Sequence, residues 1–246
     1  MIEIQGLSRR FGAVLAVSEL DLSIARGEIF GFLGPNGAGK TTTLRMLCGL
    51  LRPSSGTIRI GGLDLAAAPA AVRRLLAFAP DTPPLYEYLS VREHLGFVAS
   101  LYGLSAAERD ERSRALLPQF GLSAYADQLC KGLSHGTRKK AHLAALLCVA
   151  PQVLVLDEPT NGLDPRSTHE LKQVLRAARD AGTTVFLSTH VLGVAEAICD
   201  RVGILSDGRL LACGTLEELR KSGDRSLEDV FLRVTEASWE RSDVAE

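Results

Sequence analysis

The sequence predicts an α/β protein built on a mainly parallel sheet, with a helical lobe inserted in it. Three observations carry the prediction. Short, almost wholly apolar runs recur along the chain, as expected of strands buried on both faces. Segments with helical periodicity lie between the later runs, the order of βαβ units. One stretch, roughly Leu85–Leu129, has helical patterns with no strand between them.

In chain order, the strand-like runs are Ile2–Ile4, Glu28–Gly34, Thr57–Ile60, Val153–Glu158, Thr184–His190 and Arg201–Ser206. The alanine-rich patch Ala66–Ala71 reads as a helix start around Pro69, since proline is accommodated in a first helical turn. In the lobe, "SVREHLGFVASLYGL" and "SAAERDERSRALLPQFGL" are helical. The segment Arg166–Gly182 places Leu171, Val174, Leu175 and Ala178 on one helical face and stops at a glycine. Near the end, Ser226–Glu236 is an amphipathic helix that would pack Leu227, Val230 and Phe231 on the core. The organisation expected is one α/β domain over 1–215, with the lobe inserted at about 85–150, and a helical tail over 216–246.

Composition narrows the classes. The chain has 246 residues, 46% hydrophobic and 23% charged, enough to bury a substantial core. A net charge of -1 leaves no basic stripe, so nucleic acid is not an expected partner. The local cluster Arg138–Lys140 is read as a solvated face. Five cysteines without CxxC spacing argue against a disulfide frame or zinc site and point to the cytoplasm. The longest apolar stretch, Leu143–Ala150, is too short to span a bilayer, so any membrane contact is expected to be peripheral.

The stretch "GPNGAGKTT", Gly34–Thr42, follows an apolar run and precedes a helical pattern. It fits GxxxxGK[ST], the P-loop, in which Gly34, Gly37 and Gly39, with Asn36 between them, let backbone N–H groups form a nest for phosphate at a helix N-terminus. Lys40 would reach the β- and γ-phosphates, and the hydroxyl of Thr41, with Thr42 beside it, would meet Mg²⁺. The fold is therefore a P-loop nucleoside triphosphatase core. At the end of a buried run, Asp157 can hold the magnesium shell and the adjacent Glu158 can orient and deprotonate water. A guanine reader of the form Asn-Lys-x-Asp is missing; "NGLD", Asn161–Asp164, lacks the lysine.

With "LSHGT" (Leu133–Thr137), "NGLDP" after the acid pair and "STH" (Ser188–His190), the ordered motifs resemble the nucleotide-binding subunit of an ATP-binding cassette (ABC) transporter across about Ile2–Thr215. The resemblance implies an N-terminal antiparallel β subdomain, ATP and Mg²⁺ as ligands, ATP hydrolysis, and a homodimer or paired cassette sandwiching two ATP head to tail. It further implies a place on the cytoplasmic side of the membrane, peripheral to an integral-membrane permease. By the same resemblance Phe11 stacks on adenine, Ser134 and Gly136 address the γ-phosphate of ATP on the opposite subunit, and Asp164 lies at the dimer interface. Glu158 is then the catalytic carboxylate and His190 the switch histidine on the γ-phosphate, whereas His94, His135, His142 and His169 take structural readings.

The chain departs from the family where Asp81 stands in place of a glutamine. Two readings stay open there: a magnesium or water contact, and a turn residue between Pro80 and Pro83. His135 and Thr137 also replace the usual glycine and glutamine. The "LEDVFL" tail resembles ATPase subunits of ABC-2 type exporters, so export is favoured. A soluble ABC ATPase is the alternative, but it would be expected to carry two cassettes or a long coiled-coil insertion. A regulatory cassette would be expected to lack Glu158.

Overall fold

In the computed structural model, which describes residues 1–221 and 224–243 and only the backbone over 237–243, the chain opens with two long strands. β1 (Ile2–Phe11) and β2 (Val14–Ile24) pair antiparallel around Gly12, whose φ of +55° suits glycine. Ile2, Ile4 and Leu7 are buried along β1 while Glu3 and Gln5 are exposed, the alternation of a sheet with one face on the core. β3 (Ile29–Leu33) is buried throughout and leads into the phosphate-loop sequence and helix α1 (Lys40–Leu47). β4 (Ser55–Ile60) and β5 (Leu63–Asp64) complete an antiparallel sheet of order β2-β1-β4-β5. This matches the expected N-terminal β subdomain.

Helix α2 (Pro69–Leu75) starts on Pro69, and β6 (Leu76–Ala79) follows it directly. The chain then forms α3 (Val91–Leu101), α4 (Ala106–Gln119) and α5 (His135–Cys148) before the next strand, β7 (Val153–Asp157). Ser90 and Ser105 start α3 and α4 with capping boxes closed by Glu93 and Glu108, so each helix begins where its own side chains satisfy the free N–H groups. After β7 come α6 (Pro165–Asp180), β8 (Thr184–Thr189), α7 (Leu192–Ile198), β9 (Arg201–Ser206), β10 (Arg209–Gly214), α8 (Leu216–Leu219) and α9 (Leu227–Asp243). The second sheet has order β10-β9-β3-β8-β7-β6; all its pairings are parallel except β10 with β9.

One core layer lies between the two sheets and centres on Phe30, Phe32 and Phe186, with ring centroids 5.6 and 5.4 Å apart. On the opposite face of the parallel sheet, Leu154, Leu156, Val185 and Leu187 pack with Leu95, Leu117, Phe120 and Leu143 of the helical lobe and Leu171 and Leu175 of α6. A third cluster fixes α9: Leu227 and Val230 are fully buried with Leu33, Val202 and Ile204, and Phe231 packs beside them. Because β3, β7 and β8 run parallel, their C-terminal ends open on one edge of the sheet. In such folds ligands bind at that edge.

Candidate active site

The phosphate loop takes its shape from glycines at positions other residues cannot hold. Gly37 and Gly39 have φ of +85° and +103°. At Gly39 a Cβ would collide with the carbonyl of Ala16, and at Gly34 with the carbonyl of Leu205, so the loop is pressed between β2 and β9. Lys40 opens α1 with its side chain turned back into the loop, where Nζ donates to the carbonyls of Gly34 at 2.6 Å and Pro35 at 3.1 Å. Burial pulls its pKa below the usual lysine value, while the carboxylates of Glu158 and Asp157 push it back up.

The acid pair arrives from β7. Asp157 ends the strand, and its Oδ1 accepts a 2.5 Å hydrogen bond from Ser188 Oγ on β8. Glu158 follows with φ of +47°, a left-handed backbone for a non-glycine residue, held by its N–H donating to Ser188 O at 3.1 Å. Its carboxylate meets two side chains: Lys40 Nζ is 3.7 Å from Oε1, and His190 Nδ1 is 3.0 Å from the same oxygen. His190 thus reaches the site from the end of β8 and meets Glu158 directly. Together Ala16, Pro35, Asn36, Gly37, Gly39, Lys40, Thr41, Thr42, Asp81, Asp157, Glu158, Asn161 and His190 line a cleft of about 400 Å³.

Three residues predicted to touch nucleotide lie elsewhere. Phe11 ends β1, half exposed, with the Arg9 guanidinium 4.5 Å from its ring centroid. Ser134 caps α5, its Oγ accepting from the Thr137 N–H at 3.3 Å, and Gly136 follows in the first turn. These two lie on the helical lobe, outside this chain's own cleft. Asp164 caps α6 by accepting from the N–H and the hydroxyl of Ser167, bonds that hold its carboxyl below the ordinary aspartate range. His135 lies against Gly162 of the "NGLDP" loop, where a Cβ would come within 2.8 Å of its ring.

Two local readings change. Arg138–Lys140 is not a solvated face: the Lys139 side chain is only 8% exposed, Lys140 pairs with Glu170 at 2.7 Å, and Arg138 meets Glu87 at 3.6 Å. Asp81 is not a free turn residue either, because its Oδ1 accepts from Lys139 Nζ at 3.0 Å at the edge of the cleft. Lys139, Asn161 and Ala16 are not legible as residues of the site from the sequence, since only the tertiary fold brings them to the loop. The lysine beside the signature motif was the available signal for the first.

Residues 17–161 match the family described as "ABC transporter". The chain belongs to the ABC transporter family. As an ABC protein it has the fold and motifs of that family's ATP-binding subunits. It is 43% identical over 221 residues to a daunorubicin/doxorubicin resistance ATP-binding protein of Streptomyces peucetius, covering 90% of this chain and 67% of the relative. A probable multidrug ABC transporter ATP-binding protein of Escherichia coli is 35% identical over 247 residues, covering 98% of this chain; the ABC chain described here spans only 42% of that relative's length. A solved structure of the ATP-binding subunit of an ABC transporter superposes with a TM-score of 0.89 at 36% identity, covering 96% of this chain and 99% of the other. Among the described residues, no helix of this ABC subunit is long and apolar enough to cross a membrane.

Proposed function

We propose that the chain hydrolyses ATP in the cleft between the phosphate loop and Glu158, and that it powers an exporter as a head-to-tail dimer docked on an integral-membrane permease at the cytoplasmic face. The observation that carries the catalytic part is the hold on Glu158, which lines the cleft with His190 and Lys40 both at its Oε1. A carboxylate so oriented can take a proton from water. Lys40, with the N–H groups around Gly37 and Gly39, receives phosphate charge, and His190 is near enough to sense it. Phe11 offers its ring to the adenine.

The cleft suits magnesium carried by a triphosphate. Thr41 supplies a hydroxyl and Asp157 a carboxylate fixed by Ser188, the small protein donor set that Mg²⁺ takes when phosphates and water complete its shell. Asp81 would add its second carboxylate oxygen on the same side. When bound, the ion supplies charge neutralisation at the β- and γ-phosphates.

Export is supported by the names of the relatives, a drug-resistance and a multidrug ATP-binding protein, and by the tail helix that begins at Leu227. The dimer is supported by Ser134 and Gly136, which lie on the lobe away from the cleft of their own chain. Substituting Glu158→Gln removes the base and keeps its shape. Hydrolysis should fall ~10²–10⁴-fold while ATP binding persists; phosphate release at the wild-type rate would contradict the assignment.

A further inference from the structure

Lys139 is the buried member of an otherwise surface-paired basic triplet. It sits on α5, one turn beyond Ser134, and its ammonium leaves the helical lobe to meet two groups on the core side. Nζ donates to Asp81 Oδ1 at 3.0 Å and to the backbone carbonyl of Glu158 at 3.0 Å. A buried ammonium needs a partner charge, and Asp81, whose side chain is 50% exposed, provides it. The carbonyl of Glu158 belongs to the residue with the left-handed φ of +47°, and its other donor is the N–H of Asn161 at 3.2 Å. A backbone in that region persists only where its surroundings hold it.

Asp81 and Glu158 both line the cleft that carries the phosphate loop. Without compensation, the Asp81 carboxylate would repel a triphosphate arriving there. We propose that Lys139 is a positioning residue of the ATPase site: it neutralises Asp81 beside the phosphates and pins the backbone that aims Glu158. This rests on ATP occupying the cleft as proposed above. Because Lys139 and Ser134 lie on one helix, α5 then ties the surface offered to a second subunit to the catalytic carboxylate of its own chain.

The test separates charge from packing. ATP binding is titrated calorimetrically in EDTA, where charge repulsion is greatest, and a non-hydrolysable ATP analogue is titrated with Mg²⁺. In EDTA, Lys139→Met should bind ATP ~10-fold more weakly than wild type, by the repulsion of one uncompensated carboxylate. With Mg²⁺ the loss should shrink, because the ion offsets the same charge. Adding Asp81→Asn to Lys139→Met should bring metal-free affinity back to within about threefold of wild type, a coupling that a purely structural lysine would not show. Lys139→Arg should keep the affinity.

Turnover separates from binding. At saturating Mg²⁺-ATP, kcat should stay about tenfold low in both Lys139→Met and the double variant, since the Glu158 carbonyl has lost its donor in each. If Lys139→Met does not fold, Lys139→Gln removes the charge with less loss of shape and serves in its place. Equal losses with Asp or Asn at position 81, or no loss at all, would overturn the proposal. A Lys40→Ala control distinguishes the two levels. Binding retained in that variant would overturn the assignment of the cleft, and Lys139 with it, whereas binding lost there alongside uncoupled Lys139 effects would overturn the role of Lys139 alone.

Discussion

Five groups meet at Glu158, the residue proposed to carry the chemistry. Its N–H goes to Ser188, its carbonyl to Asn161 and Lys139, and its carboxylate to Lys40 and His190. Of the three side chains among these, Lys40 and Lys139 also bond backbone carbonyls, whereas His190 meets the carboxylate alone. His190→Ala should therefore lower kcat by about 10²-fold, through a carboxylate free to rotate away from the water it activates, with little change in thermal stability. Phosphate release measured at saturating Mg²⁺-ATP checks this, and an unchanged kcat would mean that His190 does not orient Glu158. Asp81 shows how a single side chain resists reading from sequence. Two uses were open to it, and its ion pair with Lys139 belongs to neither, because the partner lies 58 positions away.

Between elements, α3 and α5 meet through two histidines that carry no charge. His94 and His142 are buried with ring centroids 6.3 Å apart, and neither ring nitrogen of either has a hydrogen-bond partner among the described residues. Burial lowers both pKa values from 6.5 to about 4, with the neighbouring His94 adding to the effect on His142. The unfolded chain therefore takes up protons at a higher pH than the folded one, and stability that is complete above pH 6.5 falls as the pH drops from 6.5 towards 4. Urea unfolding at about pH 7.5 and about pH 5 should show a smaller loss of stability on acidification in His142→Leu than in the natural chain. An equal loss in both would place the acid sensitivity elsewhere.

The legibility of the elements follows their chemistry. β3, β7, β8 and β9 were readable because strands buried on both faces are almost unbroken apolar runs, and α6 because its apolar residues keep helical spacing. β2 was not, since its exposed start and the left-handed Glu19 interrupt the alternation, and β6 is four residues with two alanines, which have little preference for strands. β10 is an edge strand of intermediate burial. The phosphate loop and acid pair were legible because each is contiguous; Lys139, Asn161 and Ala16 join the cleft only through folding.

At the scale of the whole molecule, the two groups of residues proposed to act on ATP lie on different surfaces of one chain. The cleft with Lys40 and Glu158 opens at the strand ends, and Ser134 and Gly136 lie on the lobe at the start of α5. On the proposed reading a single chain would hold half of each of two sites, and a two-fold dimer would complete both. ATP would join the subunits through its phosphate charge and release them on hydrolysis, a switch that a permease can convert into movement. The direct measurement is complementation between Ser134→Arg and Lys40→Ala chains, each expected to be inactive alone. Their heterodimer pairs one doubly broken site with one intact site, so a mixture with verified heterodimers should regain ATPase activity, up to about half of the wild-type turnover per heterodimer. Heterodimers that form and remain inactive would contradict the shared site.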